Sequence, residues 1–255
     1  MTKEERQNTI LDELMKEGSV QVTDLSDKLE VSSVTIRKDL TELEKNGKLY
    51  RSHGKAILIN PFMNNRSVNV KEKLNTEEKR LIGMEAAKLI TPDDSIVLAS
   101  GSTIHALAGQ IKPQGKLVVV TAALQVTQTL TAHDNVEVIQ LGGTVRHSSL
   151  SVVGKPAEQM LESCSFSKLF LGVDGVDLDF GIFTTDLREA ELNRVMMERA
   201  QKTIVLADSS KFGKRGFAKI CNLEDVDMII TDSGLSETVK HQIEELGIDI
   251  VLAQM

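Results

Sequence analysis

Arg37 and Lys38 stand side by side in VSSVTIRKDLTELEKNGKLYRSHGKAILI (31–59), and Arg51, His53 and Lys55 follow in the same stretch. Ser33, Val34, Thr35 and Thr41 lie among the first pair. Cations with short hydroxyl side chains beside them suit phosphate oxygens and base edges. A second set of residues is scattered through the rest of the chain. It comprises Ser100, Gly101, Ser102 and Thr103; Thr121; Gly142, Gly143 and Arg146; Asp174 and Gly175; Thr184, Thr185 and Glu189; and Lys211. Glycine lets backbone approach a ligand closely, hydroxyls donate, and free N–H groups attract an anion. Each has a plainer reading when taken singly. A cationic pair is usually a solvated helix face, Gly-Ser-Thr is a common turn, Arg146 can serve a surface ion pair, and His105 reads as a surface residue. Position in the fold has to decide.

The first set is placed by a short helical motif. Ser32 can cap a helix running to 46, with Gly47 just past its end. Ile36, Leu40 and Leu43 fall at i, i+4 and i+7 and make one buried stripe. Val34, Arg37, Lys38, Thr41 and Lys45 share the opposite face. A shorter amphipathic helix precedes it, with Thr23 as cap and 24–29 as body, joined by a turn at Glu30-Val31. After Gly47 the period becomes extended. Residues 49–51 and 56–58 flank Ser52-His53-Gly54-Lys55, which reads as a two-stranded wing with a basic tip. An amphipathic helix over 3–17, ended by Gly18, and a short extended piece at Val20 and Val22 complete a winged helix-turn-helix over 1–59. Residues 60–75 open with Asn-Pro-Phe-Met-Asn-Asn and read as a linker.

From 76 to 255 the pattern is α/β. Thr76 caps a helix to 90. Apolar runs at 95–99, 117–120, 136–141, 168–173, 203–207, 228–231 and 248–252 alternate with helices at 103–111, 123–131, 157–162, 186–200 and 236–246. Short apolar strands alternating with helices imply a largely parallel sheet covered on both faces. Ligands in such sheets sit beyond the carboxyl ends of the strands. The second set of residues follows those ends, so chain-distant donors and cations converge at one sheet edge and predict a pocket for an anionic small molecule.

Composition agrees. A chain of 255 residues with 41% hydrophobic residues can hold a small domain and a larger one. The net charge of −7 argues against a uniformly basic nucleic-acid binder. Yet residues 31–60 carry six Lys/Arg against three acids, a local basic footprint on an acidic body. Two cysteines without metal-ligand spacing predict packed thiols and no metal site. No apolar run of about 18 residues and no signal pattern occur, so a soluble, cytoplasmic protein without membrane contact is expected.

The motifs also resemble a known family. Thr35-Ile36-Arg37-Lys38-Asp39-Leu40, Leu43-Glu44, Gly47 and Arg51-Ser52-His53-Gly54 are similar to the signature of DeoR/GlpR bacterial transcription regulators. Lys38 replaces an arginine there, and Lys55 replaces the second glycine of the usual HGGA. Phe170 to Gly175, Gly181-Ile182-Phe183-Thr184-Thr185, Glu189-Ala190 and Ala207 to Gly213 resemble the sensor domain of the same family. Thr121-Ala122-Ala123 stands where many members have Thr-Asn-Ser. That sensor domain resembles ribose-5-phosphate isomerase, whose phosphate loop and Asp-Gly-x-Asp segment match Gly101-Ser102-Thr103 and Asp174-Gly175-Val176-Asp177. The isomerase lysine has no counterpart in Leu178-Asp179-Phe180-Gly181, which favours recognition over turnover.

The resemblance implies a repressor of a sugar-catabolic operon. Its partners would be double-stranded operator DNA, a phosphorylated sugar or related effector, and further copies of itself as a homodimer or homotetramer. No cofactor is implied. Ser102, Thr103 and Lys211 would take the phosphate, with Arg146, Asp174 and Glu189 near the sugar. Two rivals remain open from the sequence. One is a sugar-phosphate enzyme with an accessory DNA-binding domain. The other is a constitutive DNA binder whose large domain only oligomerises.

Overall fold

The structure, a computed structural model, describes residues 2–17, 19–45, 48–52, 54–58 and 67–254. His53, Gly18, Asn46, Gly47 and the segment 59–66 lie outside the described residues, so the expectations placed on them stand as sequence readings. The chain forms two compact units, Met1–Asn64 and Asn65–Met255.

In the first unit the elements run α1 (Lys3–Glu17), β1 (Ser19–Gln21), α2 (Val22–Lys28), α3 (Ser33–Lys45), β2 (Leu49–Ser52) and β3 (Lys55–Leu58). Ile10 and Leu14 from α1, Val22 and Leu25 from α2, Ile36, Leu40 and Leu43 from α3, and Leu49 and Ala56 from the strands pack into one buried cluster. Burial of these side chains is what a unit this small has to hold its helices together. The three strands form an antiparallel sheet in the order β1-β3-β2. Two boundaries differ from the sequence reading. Val22 opens α2 and does not extend β1, and Gln21, not Thr23, stands at the N-cap position. Thr23 turns its hydroxyl to the Asp24 carboxylate. Ser32 does cap α3: its Oγ accepts the Thr35 amide at 3.2 Å.

The second unit begins with α4 (Val68–Glu72) and α5 (Thr76–Ala87), followed by β4 (Ser95–Leu98), α6 (Ser102–Ala108), β5 (Leu117–Thr121), α7 (Leu124–Leu130) and β6 (Val136–Gln140). A hairpin, β7 (Thr144–Arg146) and β8 (Ser151–Val153), leads to α8 (Lys155–Leu161) and β9 (Lys168–Gly172). Then come β10 (Gly175–Asp177), β11 (Gly181–Thr184), α9 (Leu187–Arg199), β12 (Thr203–Leu206), β13 (Ala218–Cys221), β14 (Met228–Asp232), α10 (Glu237–Glu245) and β15 (Asp249–Ala253). Seven strands form the main sheet in the order β15-β14-β12-β9-β4-β5-β6. Every pairing within it is parallel.

Two apolar layers sandwich this sheet. Ile96, Leu98, Val119 and Phe170 face one layer with Ile82, Ile104, Leu107 and Val126. Val97, Val120, Leu169 and Leu171 face the other with Ala157, Ala190, Met196 and Ile243. Successive side chains alternate between faces, and both faces are covered, which is why the strands read as continuous apolar runs.

Three features were not legible in the sequence. The β7–β8 hairpin lies over the exit of β5, with Val152 N–H donating to Ala122 O at 2.9 Å and Leu124 N–H to Leu150 O at 2.9 Å. Strands β10, β11 and β13 make a separate antiparallel sheet. Residues 68–72, read as part of a linker over 60–75, form α4 within the second unit. The helix expected from a Thr76 cap is preceded instead by Asn75 in the left-handed region (φ 50°) and ends at Ala87, short of 90.

Helix α5 lies against α6 at Gly83. A Cβ there would meet Leu107 N at 2.9 Å and Ala106 C and O at 3.0 Å. Backbone cannot give way as a side chain can, so the added methyl outweighs the helix propensity that alanine would supply. Gly83→Ala should therefore destabilise the second unit by about 1–3 kcal/mol. The measurement is the urea midpoint at constant m-value; an unchanged midpoint would mean that the two helices can separate at no cost.

Candidate functional site

In the first unit α3 presents exposed Arg37 and Lys38, and Val34 beside them is 58% exposed. Ser33, Thr35 and Thr41 are half-buried on the flanks of the same face. The helix is held from behind by a buried ion pair. Arg6 of α1 donates from Nε to Asp39 Oδ2 at 2.6 Å and from Nη2 to Oδ1 at 3.3 Å, and Asp39 is 2% exposed. A bidentate arginine–carboxylate pair fixes orientation as well as distance, so the exposed face of α3 is set against α1.

Arg51 does something the sequence did not suggest. Its backbone N–H and its Nε donate to the two oxygens of Glu44, at 2.9 and 2.7 Å, and its Nη1 donates to Thr41 Oγ1 at 2.7 Å. The hydrogen bonds from Arg51 hold the Glu44 carboxyl below its usual range. Arg51 thus braces β2, the first wing strand, against α3. Lys55 remains exposed next to Gly54, whose φ of +79° makes the turn.

The second unit contains an open cleft. It lies where the order of the parallel sheet reverses. The chain passes from β4 through β5 to β6 on one side, and from β9 through β12 and β14 to β15 on the other. Strands β4 and β9 are neighbours whose following segments leave in different directions, which opens a crevice at their carboxyl ends. Ser100, Gly101, Ser102 and Thr103 follow β4 on one side, and Val173 and Asp174 follow β9 on the other. Gly172 lets them meet: a Cβ there would lie 2.5 Å from Ser100 O.

Ten of the fourteen residues that the sequence placed around an effector line this cavity: Ser100, Gly101, Ser102, Thr103, Arg146, Asp174, Thr184, Thr185, Glu189 and Lys211. Four do not, and each has a structural task. Thr121 is fully buried, donates to Leu98 O at 2.7 Å and accepts the Ala123 amide at 3.1 Å. Gly142 N–H donates to Met160 Sδ at 3.1 Å. Gly143, at φ +149°, would place a Cβ 2.7 Å from Val153 O. Gly175 would place one 2.3 Å from Lys214 O. Ala122 and Ala123 are buried where the β7–β8 hairpin bonds to the chain, so the departure from Thr-Asn-Ser falls under that hairpin and not on the cavity wall.

Two networks organise the wall. Glu189, near the start of α9, accepts from Ser100 Oγ at 2.9 Å, Arg146 Nη1 at 2.7 Å and Thr184 Oγ1 at 3.0 Å. Arg146 also reaches Asp186 Oδ2 at 3.3 Å and donates to Ser149 Oγ at 3.2 Å. One carboxylate therefore ties the segment after β4 to the last residues of β7 and β11. The second network is cationic. Lys71 of α4 pairs with Asp174 Oδ1 at 2.6 Å, and Lys211 Nζ lies 4.0 Å from the same oxygen. Burial alone would raise the Asp174 carboxyl, but Lys71 and Lys211 hold it below its usual range. Lys211 is pushed down by burial, with Asp174 opposing and Lys71 adding to the effect.

Lys71 was missed by the sequence reading because it lies in a stretch without helical period, 103 positions from its partner. It supplies a lysine beside the Asp-Gly-x-Asp segment from a part of the chain where none was sought. Val68, Ser148 and Ser149 also line the cavity without having been expected. His105, read as a surface residue, is half-buried and bonds through Nδ1 to Glu72 Oε1 at 2.8 Å and through Nε2 to Thr129 Oγ1 at 3.1 Å. Among the described residues no group of three or more His, Cys, Asp or Glu could hold a metal ion. No helix among them is long and apolar enough to cross a membrane.

Comparison with known proteins follows the same division. The family model for the DeoR-like helix-turn-helix domain matches residues 6–62, and that for the DeoR C-terminal sensor domain matches residues 74–233. The chain is 38% identical to the "Putative aga operon transcriptional repressor" of Escherichia coli O157:H7, over 97% of this chain and 93% of that one. It is 36% identical to the "Lactose phosphotransferase system repressor" of Streptococcus mutans serotype c, over 91% and 93%. Among solved structures, ribose 5 phosphate isomerase A from Neisseria gonorrhoeae is similar at a TM-score of 0.40 and 18% identity, over 54% of this chain and 53% of that one. With both domains matched in order and a relative of this identity along nearly its whole length, the chain belongs to the DeoR family of transcription regulators.

Proposed function

We propose that the protein is a repressor of a sugar-utilisation operon, released from its operator by a phosphorylated sugar or closely related metabolite. The observation that carries the effector half is the convergence of Lys71 and Lys211 on Asp174 in a cavity at the sheet's switch point. Two lysines suit a phosphate, and the buried hydroxyls of Ser102 and Thr103 can donate beside it. Asp174 and Glu189 supply acceptors for sugar hydroxyls. An open cleft lined by hydroxyls, two lysines and two carboxylates suits a small polar metabolite. The curated relatives are named as operon repressors, which supports the same assignment. The protein is a regulator and not an enzyme.

For the operator, the exposed face of α3 enters the major groove, with Arg37 and Lys38 as its reading and anchoring cations, and Lys55 meets phosphate from the wing. A two-fold operator calls for at least a homodimer, and a homotetramer satisfies the same symmetry. The cytoplasm is where such a protein meets both partners.

Two outcomes are expected. Arg37→Ala should weaken specific operator binding by about 1–3 kcal/mol and relax preference at the base it contacts. Lys55→Ala should weaken binding to all sequences alike and flatten its salt dependence. Affinities for operator and scrambled duplexes across a salt series measure both; wild-type affinity in an Arg37→Ala, Lys38→Ala double variant would remove α3 from the interface. For the effector, an aldose phosphate that binds should weaken operator affinity by roughly 5- to 150-fold, the reach of a 1–3 kcal/mol coupling. Operator DNA should weaken effector binding by the same factor. Flat operator affinity across a titration that saturates the pocket contradicts the inducer assignment, and tighter operator binding reverses its sign.

A further inference from the structure

Helix α4 is only five residues long. A helix of that length does not persist on its own propensity, so its presence depends on tertiary ties. Four are evident. Val68 is 2% exposed, and its N–H donates to Ser148 O at 2.6 Å. Lys71 Nζ pairs with Asp174 Oδ1 at 2.6 Å. Glu72 Oε1 accepts from Gln125 Nε2 at 2.9 Å and bonds to His105 Nδ1 at 2.8 Å. Lys79, 4% exposed, donates from Nζ to the carbonyls of Lys71 and Leu74.

Two of these ties are made by residues that line the cavity, Val68 and Lys71, and Ser148 lines it as well. Helix α4 is also the first element of the second unit, reached directly from the chain of the first. Two of the five residues of the entry segment are therefore also part of the pocket wall. The cations near that wall are crowded. Lys71 and Lys211 share one oxygen of Asp174, and burial pushes the Lys79 ammonium down to about 8, with Asp208 opposing and Lys211 and Lys71 adding to the fall. An arriving anion relieves that crowding, because it gives Lys211 a second partner and Lys71 a further one.

Resting on the effector-pocket reading above, we propose that Lys71 is a direct ligand of the effector's phosphate, shared with Lys211, and that α4 is the element through which pocket occupancy acts on the chain leading to the DNA-binding unit. An empty pocket leaves α4 held by Asp174, Glu72, Val68 and Lys79. A bound phosphate adds a tie through Lys71 and docks α4 more firmly, which biases the unit pair toward one arrangement. The ligand needs no contact with the DNA-binding unit for this to work.

The test uses the full-length protein with inorganic phosphate and a panel of five- and six-carbon aldose phosphates as probes. Thermal shift finds the ligand that binds. Hydrogen exchange of backbone amides 68–74 and operator affinity are then read with and without it. In the wild type, exchange across 68–74 should slow at least about threefold on binding, as operator affinity falls. Lys71→Met should bind the ligand at least about tenfold more weakly, and at saturation should show neither effect in full. Glu72→Ala, which removes a tie outside the pocket, should bind the ligand within about threefold of wild type yet couple it less to the operator. Unchanged exchange across 68–74 in liganded wild type overturns the proposal, as does wild-type operator release in both variants. If no probe binds the wild type at all, the effector-pocket reading fails and this inference falls with it. If a probe binds and releases the operator without involving α4, only the inference falls.

Discussion

The sensor unit is governed by one constraint: parallel strands β4 and β9 lie side by side, yet the chain leaves them for opposite halves of the sheet. Backbone that diverges cannot fill the space between its own ends. The crevice is therefore a consequence of strand order, before any side chain is considered. Gly172 makes it usable, because no larger residue could bring the end of β9 so close to Ser100 O. What remains for evolution to choose is the lining. Here it is a carboxylate knot around Glu189 on one side and a lysine pair around Asp174 on the other. The first is a closed network of satisfied partners that holds the wall in shape. The second leaves two cations leaning on one carboxylate, the imbalance on which the proposed anion site rests.

Much of this was legible in the sequence, and what was not failed for identifiable reasons. The inner strands of the main sheet announce themselves as apolar runs because they are buried on both faces, whereas edge strand β6 alternates half-buried and exposed positions. The stripe of Ile36, Leu40 and Leu43 and the cap at Ser32 fixed α3 to within a residue. Ser100, Gly101, Ser102, Thr103, Asp174 and Lys211 could be placed because a residue just after a parallel strand must emerge at one edge. Short elements carry no such signal. Strands β7, β8 and β10 have three residues each and α4 has five, fewer than a period needs to show itself. Glycines misled in the other direction. Gly143 and Gly175 looked like ligand-approach positions, but the backbone they admit is the protein's own. Lys71 was beyond reach, since nothing local links it to a carboxylate so far along the chain.

The same limit appears in the DNA-binding unit. Composition counts Arg51 as one more cation of a basic footprint. The structure shows Arg51 bound to Glu44 and Thr41, with two of its bonds on a single carboxylate. Charge and position were read correctly, but the partner could only come from the fold that brings the wing strand back along α3.

That brace alters how the unit meets nucleic acid. A long arginine side chain free in solution gives up rotamer freedom when it docks. Arg51 has already given it up on folding, so wing and helix approach DNA as one preorganised surface. Its charge is also largely matched by Glu44, so it displaces few ions from the DNA atmosphere on contact. In counterion terms the footprint is smaller than its lysines and arginines suggest. In the proposed interface, Arg51 would hold the wing strand to the helix and leave the phosphate contacts to Lys55 and the cations of α3.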